Sequence, residues 1–229
     1  VTWVHLEMTQ ATDATLGRIR GMTDLKDLIL DETLVTDTGL SYLKGMARLE
    51  SLSLYGTHVT DTGLAHLNGM TNLKILSLSD TQVTDRGLVH LKGMTKLWRL
   101  WLHNTHMTDA GLAHLKGLTN LAELSLADTE VTDDGLLHLN QLTKLYSLGL
   151  GNTRITGAGL SHLKKLPRLA DLSLQSTEVT NAGLASLEGM SALERVYLNN
   201  VRVSDAAVAR LKLALPNLHV NGHFPKTQN

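Results

Sequence analysis

A 24-residue unit repeats along almost the whole chain. Seven copies share the pattern L-x-x-L-x-L-x-x-T-x-V-T-D-x-G-L-x-H-L-x-G-M-T-x and align without gaps: Leu25–Arg48, Leu49–Asn72, Leu73–Lys96, Leu97–Asn120, Leu121–Lys144, Leu145–Arg168 and Leu169–Ala192. Self-similarity at a period of about 20–50 residues is typical of units that stack on one another. One unit has too few apolar positions to fold alone, so each must bury its core against its neighbours.

Each unit predicts a strand, a turn, a short helix and a second turn. The last part of L-x-x-L-x-L alternates with a period of two, as a half-buried strand does. Thr36 fits the helix N-cap, and Asp37 follows at the positive end of the helix dipole. Glycines near the helix end suit a left-handed stop; they are Gly45, Gly69, Gly93 and Gly117.

Two further columns recur at the same spacing. The threonine after each strand is expected to satisfy the loop backbone of adjacent units; the column is Thr33, Thr57, Thr81, Thr105, Thr129, Thr153 and Thr177. A glycine in the first turn of each helix costs about 1 kcal/mol in helix propensity, so its repetition predicts close packing between units; this column is Gly39, Gly63, Gly87, Gly111, Gly135, Gly159 and Gly183.

These motifs resemble the leucine-rich repeat family. The opening is similar to the family's L-x-x-L-x-L-x-x-N/C core, with Thr in place of Asn or Cys. The V-T-D-x-G-L-x-x-L half, as in Val59–Leu67, resembles the cysteine-containing subclass, and similar Thr-type units occur in bacterial members. The resemblance implies an α/β fold, a curved right-handed solenoid of about nine repeats, with a parallel sheet on the concave face and short helices on the convex face.

The resemblance covers residues 1–221, which we expect to form a single domain. Residues 1–24 fit a degenerate first repeat, residues 193–221 fit a C-terminal capping repeat, and residues 222–229 fit a tail. The segment Val1–Leu6 reads as a strand without a cap. It therefore predicts an edge-strand homodimer, in which this strand pairs with a second copy of the chain.

Composition narrows the classes of partner. The net charge of −1 does not support a nucleic-acid-binding surface. No apolar run approaches the roughly 20 residues that a membrane-spanning helix needs, and no signal peptide is recognisable. The absence of cysteine excludes disulfide-bonded caps, which favours a cytoplasmic or a bacterial secreted protein without deciding between them.

Aromatic residues concentrate at the positions that the resemblance places on the concave face, namely unit positions 2, 3, 5, 7 and 8. Six of the eight aromatic residues fall there: Trp3, Tyr55, Trp98, Trp101, Tyr146 and Tyr197. Aromatic side chains are favoured anchors at protein interfaces. Trp101 stands among small residues in its column, so we expect it to protrude.

The sequence thus predicts a partner-binding surface with two centres. The first is Arg99, Trp101 and His103, with Asn104, Tyr55, Ile75, Glu123 and Tyr146 nearby; the second is Arg195, Tyr197 and Asn199. Acidic residues in the N-terminal half predict a partner with a basic segment at that end; they are Glu7, Asp27, Asp31, Glu32 and Asp80.

Other recurring polar residues have structural explanations. A histidine column on the helical side, His66, His90, His114, His138 and His162, does not converge on one ion, so we expect no metal site. The aspartate column that begins at Asp37 is explained by helix N-terminal charge. Nucleophile and phosphate-binding motifs are missing, which predicts a non-catalytic chain without a cofactor.

The predicted function is therefore a protein–protein interaction module that binds a protein or peptide on its concave face. Two alternatives remain open. One is a substrate-recognition arm of a ubiquitin-ligase-like or effector assembly, and the other is a surface adhesin or carbohydrate binder. A purely structural spacer would have no partner at all.

Overall fold

The structure is a computed structural model, and it describes residues 1–222. Most of the expected tail, residues 223–229, lies outside the described residues. Ten strands form one parallel sheet in strict sequence order. They are β1 Trp3–His5, β2 Asp27–Ile29, β3 Ser51–Ser53, β4 Ile75–Ser77, β5 Arg99–Trp101, β6 Glu123–Ser125, β7 Ser147–Gly149, β8 Asp171–Ser173, β9 Arg195–Tyr197 and β10 His219–Asn221. The expected α/β solenoid is confirmed, and β10 supplies one strand beyond the nine units.

Short helices return the chain from each strand to the next. The α-helices are α1 Asp13–Ile19, α2 Asp37–Ser41, α3 Asp61–Leu64, α4 Asp109–Leu112, α5 Asn181–Ala185 and α6 Asp205–Ala214. Segments of 3₁₀-helix are Ala65–Leu67, Gly87–Leu91, Ala113–Leu115, Asp133–Leu139 and Ala158–Lys165. The tighter 3₁₀ geometry suits connections of one or two turns.

The core is a continuous stack of leucines between the sheet and the helices. The central residues of β2 to β5 lie in register, and none of them has measurable solvent exposure; they are Leu28, Leu52, Leu76 and Leu100. Strands such as β3 and β5 therefore show one buried residue between two partly exposed ones, because only alternate side chains of a strand face the core.

The aspartate column has a role beyond the helix dipole. Asp61 lies in the first turn of α3, and its two carboxylate oxygens accept hydrogen bonds from the backbone N–H of Thr84 at 2.8 Å and from the Thr84 hydroxyl at 2.6 Å. The same pair of bonds joins Asp37 to Thr60 and Asp85 to Thr108. Each aspartate thus fixes the threonine that precedes the helical segment of the next unit, which the dipole explanation did not predict.

The buried threonine column corrects a second expectation. The hydroxyl of Thr81 donates to the carbonyl oxygen of Leu78, three residues earlier in its own unit, at 2.6 Å. The other six threonines make the same bond. The prediction that they satisfy adjacent units was wrong, because each hydroxyl donates its hydrogen bond within its own unit.

The glycines of the first helical turn pack against the preceding unit, as predicted. A Cβ added to Gly159 would lie 2.5 Å from the carbonyl oxygen of Asp133 and 2.8 Å from its Cα. Among the glycines predicted to end helices, Gly45, Gly69 and Gly93 have the expected positive φ, whereas Gly117 does not.

Candidate functional site

The residues on either side of each buried leucine form the exposed face of the sheet. On β5 these are Arg99 and Trp101, with Leu100 buried between them. Strand register places Ile75 and Glu123 on either side of Arg99. Ile75, Arg99 and Glu123 of the sequence-predicted first centre are therefore contiguous along three neighbouring strands, whereas Tyr55 and Tyr146 lie outside these strands.

Arg99 is held rather than free. Its guanidinium lies 4.4 Å from the ring centroid of Trp98 and 5.1 Å from that of Trp101. It also donates two hydrogen bonds to the Glu123 carboxylate, at 2.5 and 2.6 Å. Cation–π contacts and a two-point ion pair fix a long side chain in one orientation. Trp101 is half-buried, with Ser77 and Ser125 beside it in strand register, and its protrusion stays a prediction.

The rings of Tyr55 and His103 lie close together on the sheet surface, although the two residues are two repeat lengths apart in sequence. Their ring centroids are 6.0 Å apart, and Ser79, which lies between them at the same unit position, has no measurable solvent exposure. His103 Nε2 lies 3.6 Å from a carboxylate oxygen of Asp80. Asn104 donates a hydrogen bond to the other Asp80 oxygen. Tyr55, His103 and Asn104 thus form one polar and aromatic group around Asp80.

The second centre includes Tyr146. Arg195 donates to the Asp171 carboxylate and also to the Tyr146 hydroxyl, at 3.1 Å. The hydrogen bond to Asp171 raises the pKa of the Arg195 guanidinium above its ordinary value, so this group stays charged. Tyr197 lies on the same strand as Arg195, and Asn199 follows it in an exposed loop. Tyr146 therefore belongs with Arg195 rather than with the first centre.

In the N-terminal half of the sheet, the start of the strands and the end of the strands differ in surface charge. At the start of the strands Glu50 lies between Lys26, at 3.7 Å, and Lys74, at 2.6 Å. The hydrogen bond that Lys74 donates lowers the pKa of Glu50, which remains ionised and paired. At the end of the strands Asp31 and Asp80 have no Lys or Arg partner within the described residues. Of the acidic residues predicted from the sequence, Asp31 and Asp80 thus lie at the strand ends, whereas Asp27 begins β2 and lies 3.5 Å from His5 Nε2.

Sequence reasoning missed a column of left-handed residues at unit position 8. Their φ values lie between 52° and 59°, and the non-glycine members are Met8, Glu32, Asp80, Asn104, Asp128, Asn152, Ser176 and Asn200. A groove of about 820 Å³ runs beside this column from Gly56 to Glu178. The frequent Asp and Asn at unit position 8 could have indicated this conformation from the sequence, because after glycine these residues tolerate it best.

We expect the Tyr55 hydroxyl to lose its proton at a higher pH than ordinary tyrosine. The negative charge of Asp80 is the largest cause that raises the pKa of Tyr55, because it disfavours a second negative charge nearby. Replacing Asp80 by Asn should lower this pKa toward its ordinary value. Ultraviolet absorbance of the phenolate measures it, with Tyr55→Phe as the blank; identical titrations of wild type and Asp80→Asn would contradict the assignment.

The other predicted features are placed as follows. The five column histidines all lie on the helical side, and residues 1–222 hold no cluster of three or more potential metal ligands. No helix in this range is long and apolar enough to cross a membrane.

Strand β1 pairs with β2 on one side, and the ring of Trp3, 63% exposed, lies 5.5 Å from that of His5. The homodimer through Val1–Leu6 stays a prediction, which light scattering over a range of concentrations tests.

The comparisons with known proteins agree with this geometry. The family model for the Leucine Rich repeat matches residues 69–91. The structure of internalin C2 from Listeria monocytogenes is similar, with a TM-score of 0.72 and 26% identity, over 89% of this chain and 81% of that one. This chain has the leucine-rich repeat fold. No curated protein matches the sequence.

Two further leucine-rich repeat structures share the fold. Internalin F from Listeria monocytogenes has a TM-score of 0.65 and 22% identity, over 91% of this chain and 70% of that one. The plant peptide hormone receptor RGFR1, in complex with RGF2, has a TM-score of 0.61 and 14% identity, over 98% of this chain and 34% of the receptor. The resemblance to the cysteine-containing subclass stays a prediction.

Proposed function

We propose that this chain is a non-catalytic module that binds a protein or peptide on the concave face of its sheet. The observation that carries the proposal is the pair of aromatic and arginine clusters on that face, around Trp101 and around Tyr197. Trp, Tyr and Arg supply most hot spots of protein interfaces. The peptide-bound state of the plant receptor supports the same use of this fold.

The fixed orientations of two arginine side chains on this face favour a binding role for the protein over a purely structural one. Arg99 and Arg195 are each fixed by a carboxylate on the neighbouring strand and by an aromatic side chain. A side chain that is already ordered loses less conformational entropy when a partner covers it.

We further propose that residues 1–221 act as one domain, since a single sheet runs from β1 to β10.

The test is affinity capture from an extract of the source organism. The concave variant, Trp101→Ala with Tyr197→Ala, removes one aromatic ring from each cluster. The convex variant, His114→Ala with Leu137→Ala, is the matched control, because both residues are exposed on the helical side. Circular dichroism confirms that both variants fold.

We expect a protein captured by wild type and by the convex variant, with affinity for the concave variant reduced by at least about tenfold. Equal capture by the concave variant and loss by the convex variant would contradict the proposed face. Capture of no protein, together with binding on a glycan array, would favour the carbohydrate-binding alternative over a protein partner.

A further inference from the structure

A hollow of about 420 Å³ opens on the concave face beside Trp101. Its floor carries the small side chains of Ser53 and Ser77, which lie next to each other in strand register. Trp101 follows in the same row, and Tyr55 and His103 line the side where the strands end. The hollow therefore combines a floor of hydroxyl groups with three aromatic walls.

Carboxylates surround this hollow. Asp31 lines it, and its oxygen accepts from the Ser53 hydroxyl and, at 3.1 Å, from the backbone N–H of Tyr55. These donors are neutral, so they do not cancel the charge. Asp80 lies behind the aromatic wall, 3.6 Å from His103. The negative charges of Asp80, Glu32 and Asp31 also raise the pKa of Tyr55, whose ring lines the hollow.

The chain itself does not supply a cation to this hollow. No Lys or Arg is among its lining residues within the described part of the chain. The Arg99 guanidinium lies 5.1 Å from the ring of Trp101, but Glu123 pairs with it through two hydrogen bonds and it stacks on Trp98, so its charge is already compensated. The negative potential at the hollow is therefore left for a group from outside.

We propose that this hollow binds a lysine or arginine side chain of the protein partner. This inference rests on the proposed function, because it assumes a partner on the concave face. The charged end would lie between the aromatic rings and the carboxylates, where cation–π attraction and opposite charge act together. The methylene stem would lie along the indole of Trp101, as long basic side chains do on apolar surfaces.

The probe for this proposal is a random peptide library selected on the immobilised full chain. A selected peptide is then compared with an analogue in which norleucine replaces its basic residue, since norleucine keeps the stem and removes the charge. The neutralised variant is Asp31→Asn with Asp80→Asn, because asparagine retains a hydrogen-bond acceptor. The control is Asp24→Asn with Asp134→Asn, which removes two exposed carboxylates outside the concave face.

We expect the selected peptides to share a Lys or Arg. The norleucine analogue should bind wild type and the control variant about tenfold more weakly than the basic peptide. Against the neutralised variant the two peptides should differ by less than about threefold, because most of the opposite charge is gone.

Two results would overturn the inference. The first is a set of peptides that lack a shared basic residue but lose binding to the concave variant, which leaves the proposed function standing. The second is an undiminished preference for the basic peptide in the neutralised variant. Selection of no peptide, or of peptides that bind the concave variant as well as wild type, would overturn the proposed function together with this inference.

Discussion

Replacing Gly159 by Ala is expected to destabilise the protein by about 3 kcal/mol. The new Cβ would lie 2.5 Å from the Asp133 carbonyl oxygen and 2.8 Å from Asp133 Cα, so it meets backbone rather than a side chain that can rotate away. The two units can relieve the overlap only by moving apart, which weakens the hydrogen bonds and packing between them. Urea unfolding followed by circular dichroism measures the loss.

Gly117→Ala is the matched control for this prediction. Gly117 is exposed, has no positive φ, and has nothing within 4 Å of an added Cβ. Alanine there restricts the unfolded chain without strain, so we expect stability to be unchanged or increased by about 0.5 kcal/mol. Equal effects of the two substitutions would show that close packing between units does not explain the recurring glycine.

Replacing Asp61 by Ala should lower the free energy of unfolding by about 2 kcal/mol. The change removes both carboxylate acceptors from Thr84 and leaves its backbone N–H without this partner. Asp61→Asn should cost about 1 kcal/mol, because one acceptor remains. The chain itself uses Asn181 in this way, where the side-chain oxygen accepts from the Ser204 N–H at 2.8 Å.

Asp134→Ala separates this explanation from the helix dipole. Asp134 also lies in the first turn of its helix but is exposed. A pure dipole effect would make both alanine substitutions cost about 0.5 kcal/mol. A loss for Asp61→Ala that is no larger than the loss for Asp134→Ala would therefore contradict the inter-unit role.

The fold could be predicted from the sequence because its determinants are periodic. Leu28, Leu52 and Leu76 recur every 24 residues, so one correct reading of a unit fixes the register of all the strands. The same periodicity located the capping threonines, such as Thr36. It could not reveal hydrogen-bond partners, because a column such as Asp37 looks the same whether it acts within its unit or between units.

The candidate site was less predictable because it depends on the residues that break the period. Register was enough to place Arg99 beside Glu123. The packing of Arg99 against Trp98, and the distance of Tyr146 from the first centre, depend on side-chain orientations that strand register does not determine. The hollow beside Trp101 also required the structure, since its lining comes from several different units.

Hydroxyl-radical footprinting of the captured complex tests the central claim most directly. Exposed aromatic, histidine and methionine side chains react, so both faces carry reporters. Binding on the concave face predicts slower oxidation of Trp101, Tyr146 and Tyr197 in the complex, with His114 on the helical side unchanged. Unchanged oxidation of the three aromatic residues, with protection of His114 and its helical neighbours, would contradict the account.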